Sequence, residues 1–331
     1  MALITVSLAT LTVPILLMRL NKNLSFEEFN AIKPSEYVKM LGVGINVNWA
    51  NFPKLMQYYD RKVVEDFKRM GFKHVRIRVK HDATEDFLKF LDKVINDCLS
   101  VGLIPIIAYH PKYLMENPTE ENIEKVVQWW DIVAKRYKDY PPQLAFDIIL
   151  EVQGELNKRP DLLNKLYEKV VATIRKTNPT RIIFISPRYF NDPDYLWELK
   201  IPSKADGYLM VEWHFYAAGP SKTNPKKLWT TGTPYEKGLI IRKIMTVLEW
   251  QNKTGIYTWC GAWMPSNYNK GNDYTIPEQV KFANFVSYQL MKAGIPFAIN
   301  ADHQFYDFTK KQWIEERLPV LEAILHPKSE D

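Results

Sequence analysis

Hydrophobic and polar positions alternate along this chain as short apolar runs separated by longer amphipathic segments. The runs are rich in β-branched residues, which is typical of buried strands, and cover Gly44–Val47, His74–Val79, Leu103–Tyr109, Leu144–Val152, Arg181–Ser186, Gly207–His214, Gly255–Gly261 and Ile295–Asn300. The segments between them place apolar residues at helical spacing and include Thr84–Val101, Glu120–Tyr137, Pro160–Thr177, Tyr235–Lys253 and Ile276–Ala293. The pattern therefore predicts strands that alternate with helices.

The number of these strands predicts an α/β chain folded as a (β/α)8 TIM barrel. No Gly/Ser-rich linker interrupts residues 25–331, so we expect a single domain. A doubly wound sheet is the alternative, but it calls for a glycine-rich phosphate turn and a helix after its first strand. Here Gly42-Val-Gly44 has the wrong spacing and leads to Trp49 instead. In a barrel, the residues that end each strand meet at one mouth.

The segment 1–24 differs from the rest because Ala2 to Met18 carries no charge. An apolar run of this length is typical of a signal peptide, a membrane anchor or an extra buried strand. We favour export or anchoring, which would make the protein extracellular or membrane-anchored; a buried strand would make it cytoplasmic.

Composition excludes several classes of protein. The chain has 331 residues, of which 46% are hydrophobic and 25% charged, as in ordinary globular proteins. The net charge of +6 is spread without a basic block, so nucleic acid is not an expected partner. Two cysteines form neither a disulfide framework nor a zinc motif. We predict no cofactor, no metal and no obligate protein partner, and we expect a monomer.

Polar residues that suit a sugar ligand end the predicted strands. In chain order they are Asn46 and Asn48, Arg76 and Arg78, His110, Glu151, Ser186 and Arg188, Glu212 with His214 and Tyr216, Cys260, then Asn300, Asp302 and His303. Aromatic residues make up 13% of the chain, and Trp49 and Trp263 follow predicted strands. Sugars present apolar faces to aromatic rings and hydroxyl groups to charged partners. The strand ends therefore predict a carbohydrate site that binds an oligo- or polysaccharide.

Several of these strand ends resemble those of glycoside hydrolase family 5, the cellulase-like (β/α)8 enzymes. The phrases that carry the resemblance are His74-Val-Arg76-Ile, Ile106-Ile-Ala-Tyr-His110, Phe146-Asp-Ile-Ile-Leu-Glu151, Glu212-Trp-His214-Phe-Tyr216 and Trp259-Cys-Gly-Ala-Trp263. The resemblance implies hydrolysis of β-glucan or cellulose-type polysaccharides. It implies Glu151 as general acid/base, with His214 and Tyr216 beside it in the catalytic group. It implies that Arg76 and His110 position the sugar, and their places at strand ends add Trp49, Trp263 and Asn300 as predicted substrate-binding residues.

The chain departs from the family pattern at the residues that do the chemistry. The nucleophilic glutamate of the seventh strand is replaced by Ala262, and the asparagine before the acid/base by Leu150. The tryptophan of the eighth strand has no counterpart, since Asn300 ends that strand. Alanine cannot form a glycosyl ester, so the second carboxylate that a retaining glycosidase needs must be sought elsewhere.

Three hypotheses follow from this departure. The second carboxylate comes from Glu212, Asp302 or Glu155, although Glu212 could instead be a buried partner of an arginine. Alternatively, the barrel is an inactive or engineered variant that binds sugar without cleaving it. In the third hypothesis the pocket supports other chemistry, such as ester hydrolysis, with Cys260 and His303 or with Lys112 as the nucleophilic group.

Overall fold

The computed structural model describes residues 31–215, 221–222, 228–265 and 274–329. The predicted segment 1–24 and Tyr216 lie outside these residues. From Ile32 onward the described residues form one compact unit, and no helix in this part of the chain has the length and apolarity that a membrane span requires.

Eight parallel strands close into a barrel in chain order, which confirms the predicted (β/α)8 fold. They are β1 Val43–Val47, β2 His74–Val79, β3 Ile104–Tyr109, β4 Ala145–Asp147, β5 Ile183–Ile185, β6 Leu209–His214, β7 Thr258–Trp263 and β8 Phe297–Ile299. A small antiparallel pair follows, formed by β9 Tyr306–Asp307 and β10 Gln312–Trp313.

The helices pack around the barrel and include every one that the sequence pattern predicts. They are α1 Pro34–Leu41, α2 Pro53–Tyr58, α3 Arg61–Met70, α4 Glu85–Ser100, α5 Lys112–Glu116, α6 Glu120–Arg136, α7 Pro160–Arg175, a four-residue turn at Arg188–Asn191, α8 Pro234–Thr254, α9 Ile276–Lys292 and α10 Leu318–Leu325. Short 3-10 helices cover Gly154–Lys158, Pro193–Glu198, Asp302–Gln304 and Glu315–Arg317.

The helix starts use the side-chain acceptors that the sequence offers. Thr84 and Thr119 each accept a hydrogen bond from the backbone amide three residues on, which begins α4 and α6. Thr233 and Glu236 form a reciprocal capping box at the start of α8. Each contact satisfies an amide that has no partner inside the helix, so helix boundaries follow from local chemistry.

Strands β4 and β7 are less regular than the apolar pattern predicts. Strand β4 ends at Asp147, although the amides of Ile148 and Leu150 still donate to the carbonyl oxygens of Phe184 and Tyr109 on the neighbouring strands. Within β7, the register shifts between Cys260 and Trp263 relative to β8. Such an irregularity changes which side chains face the lumen, and both departures lie at the mouth of the barrel.

The lower lumen is filled by aromatic side chains rather than by aliphatic residues alone. Trp259 donates from Nε1 to Nε2 of His74 at 3.1 Å, and Nδ1 of His74 donates to the carbonyl oxygen of Leu41 at 2.7 Å. Burial lowers the pKa of His74 to about 4, so the ring is neutral and its two nitrogens match one acceptor and one donor. The barrel interior is therefore a packed core below its mouth.

Two buried arginines hold the opposite, amino-terminal end of the barrel together. Arg175 and Arg181 are at most 8% exposed, and burial lowers the pKa of each to about 10. Their guanidinium groups donate to backbone carbonyls of the surrounding loops, namely those of Tyr137, Tyr140, Pro141 and Leu144 for Arg181, and those of Asn178, Arg181, Lys204, Ala205 and Tyr208 for Arg175. A single side chain thus satisfies several carbonyls that would otherwise lack donors.

We expect Arg181→Met to lower the free energy of unfolding by about 3 kcal/mol or more, because several buried carbonyls lose their donor. Chemical denaturation of the two proteins measures the difference. Arg159→Met is the matched control, since Arg159 is exposed and forms an ion pair with the exposed Asp161. An Arg181 variant as stable as this control would contradict the role assigned to the buried guanidinium.

Candidate active site

The centre of the lumen holds a fully buried arginine between two carboxylates. From β2, Nε of Arg76 donates to Asp147 Oδ2 at 2.8 Å, and Nη2 lies 2.5 Å from both Asp147 Oδ2 and Glu212 Oε1. Nη1 lies 3.0 Å from Nε2 of His214. All four side chains are inaccessible or nearly so. Arg76 therefore ties β2 to β4 and β6 below the mouth rather than contacting a ligand.

The single positive charge of Arg76 lies beside two buried carboxyl groups, those of Asp147 and Glu212, and the pKa values of both are raised. Burial raises the pKa of Glu212 to about 8, with Arg76 opposing the shift and Glu151 adding to it. Burial also raises the pKa of Asp147 well above its ordinary value. The pKa of His214 is lowered well below its ordinary value by burial and by the charge of Arg76. The network therefore favours a neutral imidazole and a shared proton among the carboxyl groups.

The raised pKa of Glu212 favours placing that proton on its carboxyl group near pH 7. Nη1 of Arg76 and Oε1 of Glu212 both lie close to Nε2 of His214, at 3.0 and 2.5 Å. Glu212 Oε2 accepts from Nδ2 of Asn191 at 2.7 Å. A protonated Glu212 thus keeps its contact with Asn191 and avoids a second full negative charge beside Asp147.

The carboxyl group of Glu212 reaches across to β7, where it occupies the space beside Gly261. A Cβ at this glycine would collide with Glu212 Oε1. His214 is in register with Ala262, the next residue of β7. A carboxylate from the sixth strand is therefore placed close to the position where the family resemblance expects the nucleophile.

Above this network a cavity of about 530 Å³ opens at the carboxyl end of the strands. It is bordered by loops that follow β1, β2, β3, β4 and β8. Its described lining consists of Asn48, Asn51, Phe52, Leu55, Arg78, Lys80, His110, Leu150, Glu151, Asn300 and His303. Amides, an apolar edge and a carboxylate in one cavity suit a ligand with hydroxyl groups and apolar faces.

Glu151 is the carboxylate of this described lining, and it stands at the position the sequence predicts. Its backbone has a φ of 60°, in the left-handed region that non-glycine residues rarely adopt. The conformation turns the chain out of β4 and brings Glu151 to the cavity. Its negative charge acts on Arg76, Lys80 and His110. A partly exposed acid is thus held among cations and polar groups.

His110, Asn300 and His303 also reach the cavity as predicted. Nε2 of His110 lies 3.1 Å from the side-chain amide of Gln153, and burial lowers the pKa of His110 to about 4. The side-chain oxygen of Asn300 accepts from Nη2 of Arg78. His110 is therefore neutral near pH 7 and suited to hydrogen bonding rather than to charge pairing.

Asp302, one of the alternative second carboxylates, is committed to structure. Its Oδ2 accepts from the backbone amide of Asn48 at 2.8 Å, and its Oδ1 accepts from Nδ2 of Asn48 at 3.0 Å. The side chain is fully buried. Glu155, the other alternative, is exposed and pairs with Lys158. Neither borders the cavity among the described residues.

A second cavity of about 180 Å³ borders His214 on the β5 and β6 side. Its wall includes Tyr189 and Phe190, whose backbones are left-handed together with that of Asn191. Asn191 secures this turn, because its Oδ1 accepts from the amide of Val152 at 3.0 Å. The turn leaves both aromatic rings partly exposed at the mouth.

The two tryptophans predicted to bind sugar lie in the core instead. Trp49 is 1% exposed and packs against Tyr59 and Phe67. Trp263 is also 1% exposed and contacts Phe282 and Phe297. Their apolar area is used to hold helices onto the barrel, so this expectation from the sequence is wrong.

The predicted pairing of Cys260 with His303 is also corrected. Trp259 and Gly261 face the lumen, and Cys260 between them is buried in the apolar core. Burial raises the pKa of the Cys260 thiol well above its ordinary value, which disfavours a thiolate. His303 borders the main cavity, whereas Cys260 is absent from its described lining.

Lys112, proposed as an alternative nucleophile, lies on the surface. Its amino group is 3.2 Å from Glu116 within α5, and its side chain is 74% exposed. A nucleophilic lysine needs a desolvated setting that lowers its pKa, and this position offers none. Tyr216 lies outside the described residues.

Sequence reasoning missed several residues that the structure brings to the site. Lys80 follows Arg78 by two positions on the same strand end, so period-two alternation pointed to it. Asn51, Phe52 and Leu55 come from the segment after β1, whose path no local pattern indicates. The signal for Asp147 is that it is a charged residue inside an otherwise apolar strand. Among the described residues, no three His, Cys, Asp or Glu side chains cluster as a metal site.

Comparison with known proteins finds relatives that are named endoglucanases. Endoglucanase H of Acetivibrio thermocellus is 28% identical over 289 residues, which cover 81% of this chain and 30% of that protein. Endoglucanase C of the same organism is 27% identical over 180 residues, which cover 48% of this chain and 50% of that protein. The chain thus spans half or less of the length of these curated relatives.

Solved structures match most of the chain. Endoglucanase Cel5A from Thermotoga maritima, whose structure in complex with cellobiose is known, is 26% identical, with a TM-score of 0.77 over 88% of this chain and 99% of that one. The clostridial cellulose synthase subunit Z from Clostridioides difficile is 25% identical, with a TM-score of 0.73 over 86% of this chain and all of that one. The sequence model of the cellulase family matches residues 39–298. The chain therefore belongs to glycosyl hydrolase family 5.

Proposed function

We propose that this protein acts on a cellulose-type β-glucan or a related polysaccharide, with Glu151 as general acid/base. The observation that carries the proposal is the position of Glu151, which borders the main cavity at the carboxyl end of a family 5 barrel. Relatives named endoglucanases and a solved relative in complex with cellobiose support this class of ligand.

The cavity offers complementary partners for a sugar ring. Phe52 is 46% exposed and, with Leu55, provides an apolar wall against which a pyranose face can pack. Asn51 and neutral His110 provide acceptor and donor groups for hydroxyl groups. These groups orient the sugar so that its glycosidic oxygen comes within reach of the carboxyl group of Glu151.

In the chemical step, Glu151 donates its proton to the glycosidic oxygen as the bond to the anomeric carbon breaks. The departing sugar leaves with a hydroxyl group. Water then adds to the anomeric carbon, and its proton returns to a carboxylate, so that the acid is restored. Retention at the anomeric carbon would also require a carboxylate nucleophile about 5 Å from the acid.

We infer that Ala262 occupies the place of that nucleophile. Its methyl group cannot attack, and the nearby Glu212 is protonated, fully buried and bonded to Asn191. Glu212 therefore contacts Arg76 and accepts from Asn191 within the buried network rather than attacking a sugar. This inference favours a second candidate function, in which the protein binds the polysaccharide without cleaving it.

Hydrolysis of soluble β-glucan and of an aryl β-cellobioside separates the two functions. The first function predicts that the parent protein hydrolyses both substrates and that Glu151→Gln loses at least about 100-fold in rate, because the proton donor is removed. Glu116→Gln is the matched control, since Glu116 is exposed and pairs with Lys112. A parent that binds cello-oligosaccharides but releases no product would contradict hydrolysis and establish the second function.

Restoring a carboxylate on β7 tests the assignment of Ala262. We expect Ala262→Glu to raise the rate on the aryl cellobioside at least tenfold, because it supplies the missing nucleophile. Ala262→Gln has the same size without the charge and should give no increase. Equal rates in the two variants, with both folded by circular dichroism, would show that residue 262 is not the nucleophile position.

The protonated state of Glu212 predicts how stability depends on pH. Because its pKa rises from 4.5 to about 8 on folding, the folded chain binds more protons than the unfolded chain between these values, so stability falls as pH increases through this window. We expect the decrease in Tm between pH 5 and pH 8 to be smaller in Glu212→Gln than in the parent. An equal decrease in both proteins, with Glu116→Gln as reference, would mean that Glu212 is ionised throughout.

A further inference from the structure

The main cavity contains two cations that a neutral glucan does not require. Arg78 lies near the end of β2 and Lys80 directly follows that strand, so the two side chains extend toward the same side. Both border the cavity together with Glu151. Arg76 lies two residues earlier on the same strand. Unlike Arg78 and Lys80, it forms close pairs with two carboxyl groups, those of Asp147 and Glu212.

Arg78 is buried, and no described carboxylate forms an ion pair with it. It is 8% exposed, and its Nη2 donates to the neutral side chain of Asn300. Its Nε has no hydrogen-bond partner, and among the described residues no carboxylate forms an ion pair with its guanidinium. Removing a guanidinium from water without a paired anion is costly, and the orphaned Nε leaves part of a bidentate donor surface unfilled.

Lys80 adds a second positive charge above Arg78. Its Nζ lies 5.3 Å from the ring centroid of Phe52, and within the described part of the chain it makes no ion pair. Burial and the charges of Arg78 and Lys112 lower the pKa of Lys80, while Glu151 opposes them. An anion bound beside Lys80 would remove this electrostatic cost.

Glu151 cannot fill this role during the reaction. As general acid it must carry a proton when the glycosidic bond breaks, and it then contributes no negative charge. The described lining would at that moment present two cations and no anion. A negatively charged group on the ligand compensates them without competing for the catalytic carboxyl.

We propose that Arg78 and Lys80 form a subsite for an anionic group carried by the polysaccharide, such as the carboxylate of a uronic acid unit. The proposal rests on the proposed function, since it names a substituent of the sugar chain bound in the same cavity. Arg78 offers a planar pair of donors to two oxygens, and Lys80 offers a flexible cation at the open side.

The test compares three tetrasaccharides of the same β-1,4 backbone: neutral cellotetraose, its C6-oxidised uronate form and a C6-sulfated form. Stopped-flow tryptophan fluorescence measures binding to the full chain before turnover. We expect at least tenfold tighter binding of an anionic form than of cellotetraose, and a loss of this preference by about tenfold in Lys80→Gln. The better of the uronate and sulfate forms identifies the anion.

Lys54→Gln is the matched control, because Lys54 lies on α2 between two cavity residues but is exposed and does not border the cavity. It should keep the preference within twofold. Binding of cellotetraose as tight as that of both anionic forms, or a preference unchanged by Lys80→Gln, would overturn the subsite and leave the proposed function standing. Failure of all three ligands to bind would overturn the proposed function together with the subsite.

Discussion

The rest of the site depends on the charge balance around Arg76. A guanidinium at the centre of a barrel is stable only if its charge and its donors are matched, and here Asp147 and Glu212 supply the acceptors. As a result, two buried carboxyl groups share one positive charge, and burial raises the pKa of both. Because His214 accepts from Arg76, the orientation of its imidazole is fixed by the same network.

The mouth of the barrel therefore has two layers: a buried floor formed by Arg76, Asp147 and Glu212, and an accessible cavity above it. Arg76 and His214, which the family resemblance assigns to the site, belong to the floor or its edge, and neither is part of the described lining of the main cavity. Glu151, His110 and Asn300 border the space that a ligand can enter. The separation explains why polar residues at successive strand ends do not all contact the same molecule.

Much of the fold follows from the sequence, because strand and helix periodicity and capping residues act locally. Boundaries of α4 and α9 fall within one residue or so of the apolar pattern. The irregularity of β7 does not follow from the sequence, since it depends on how β6 and β8 pair with that strand. Beside this irregularity Gly261 lies against Glu212 in the lumen, whereas Cys260 is part of the apolar core.

The sequence predicts those site residues whose position depends only on where a strand ends. It does not predict the residues whose position depends on how side chains and loops pack. Glu151, His110 and Asn300 reach the cavity because parallel strands end at one face. Trp49 and Trp263 also follow predicted strands, but their large side chains pack against aromatic residues of the surrounding helices. Phe52 comes from the segment after β1, and only the three-dimensional path of that segment brings it to the cavity.

Gly261 couples the substitutions that strands β6 and β7 accept. A Cβ at this position would collide with the carboxyl group of Glu212, so a larger residue requires that side chain to move. The same carboxyl group contacts Arg76 and accepts from Asn191, and its movement would disturb both contacts. Residues 212 and 261 are therefore constrained as a pair, and a substitution at one changes what the other tolerates.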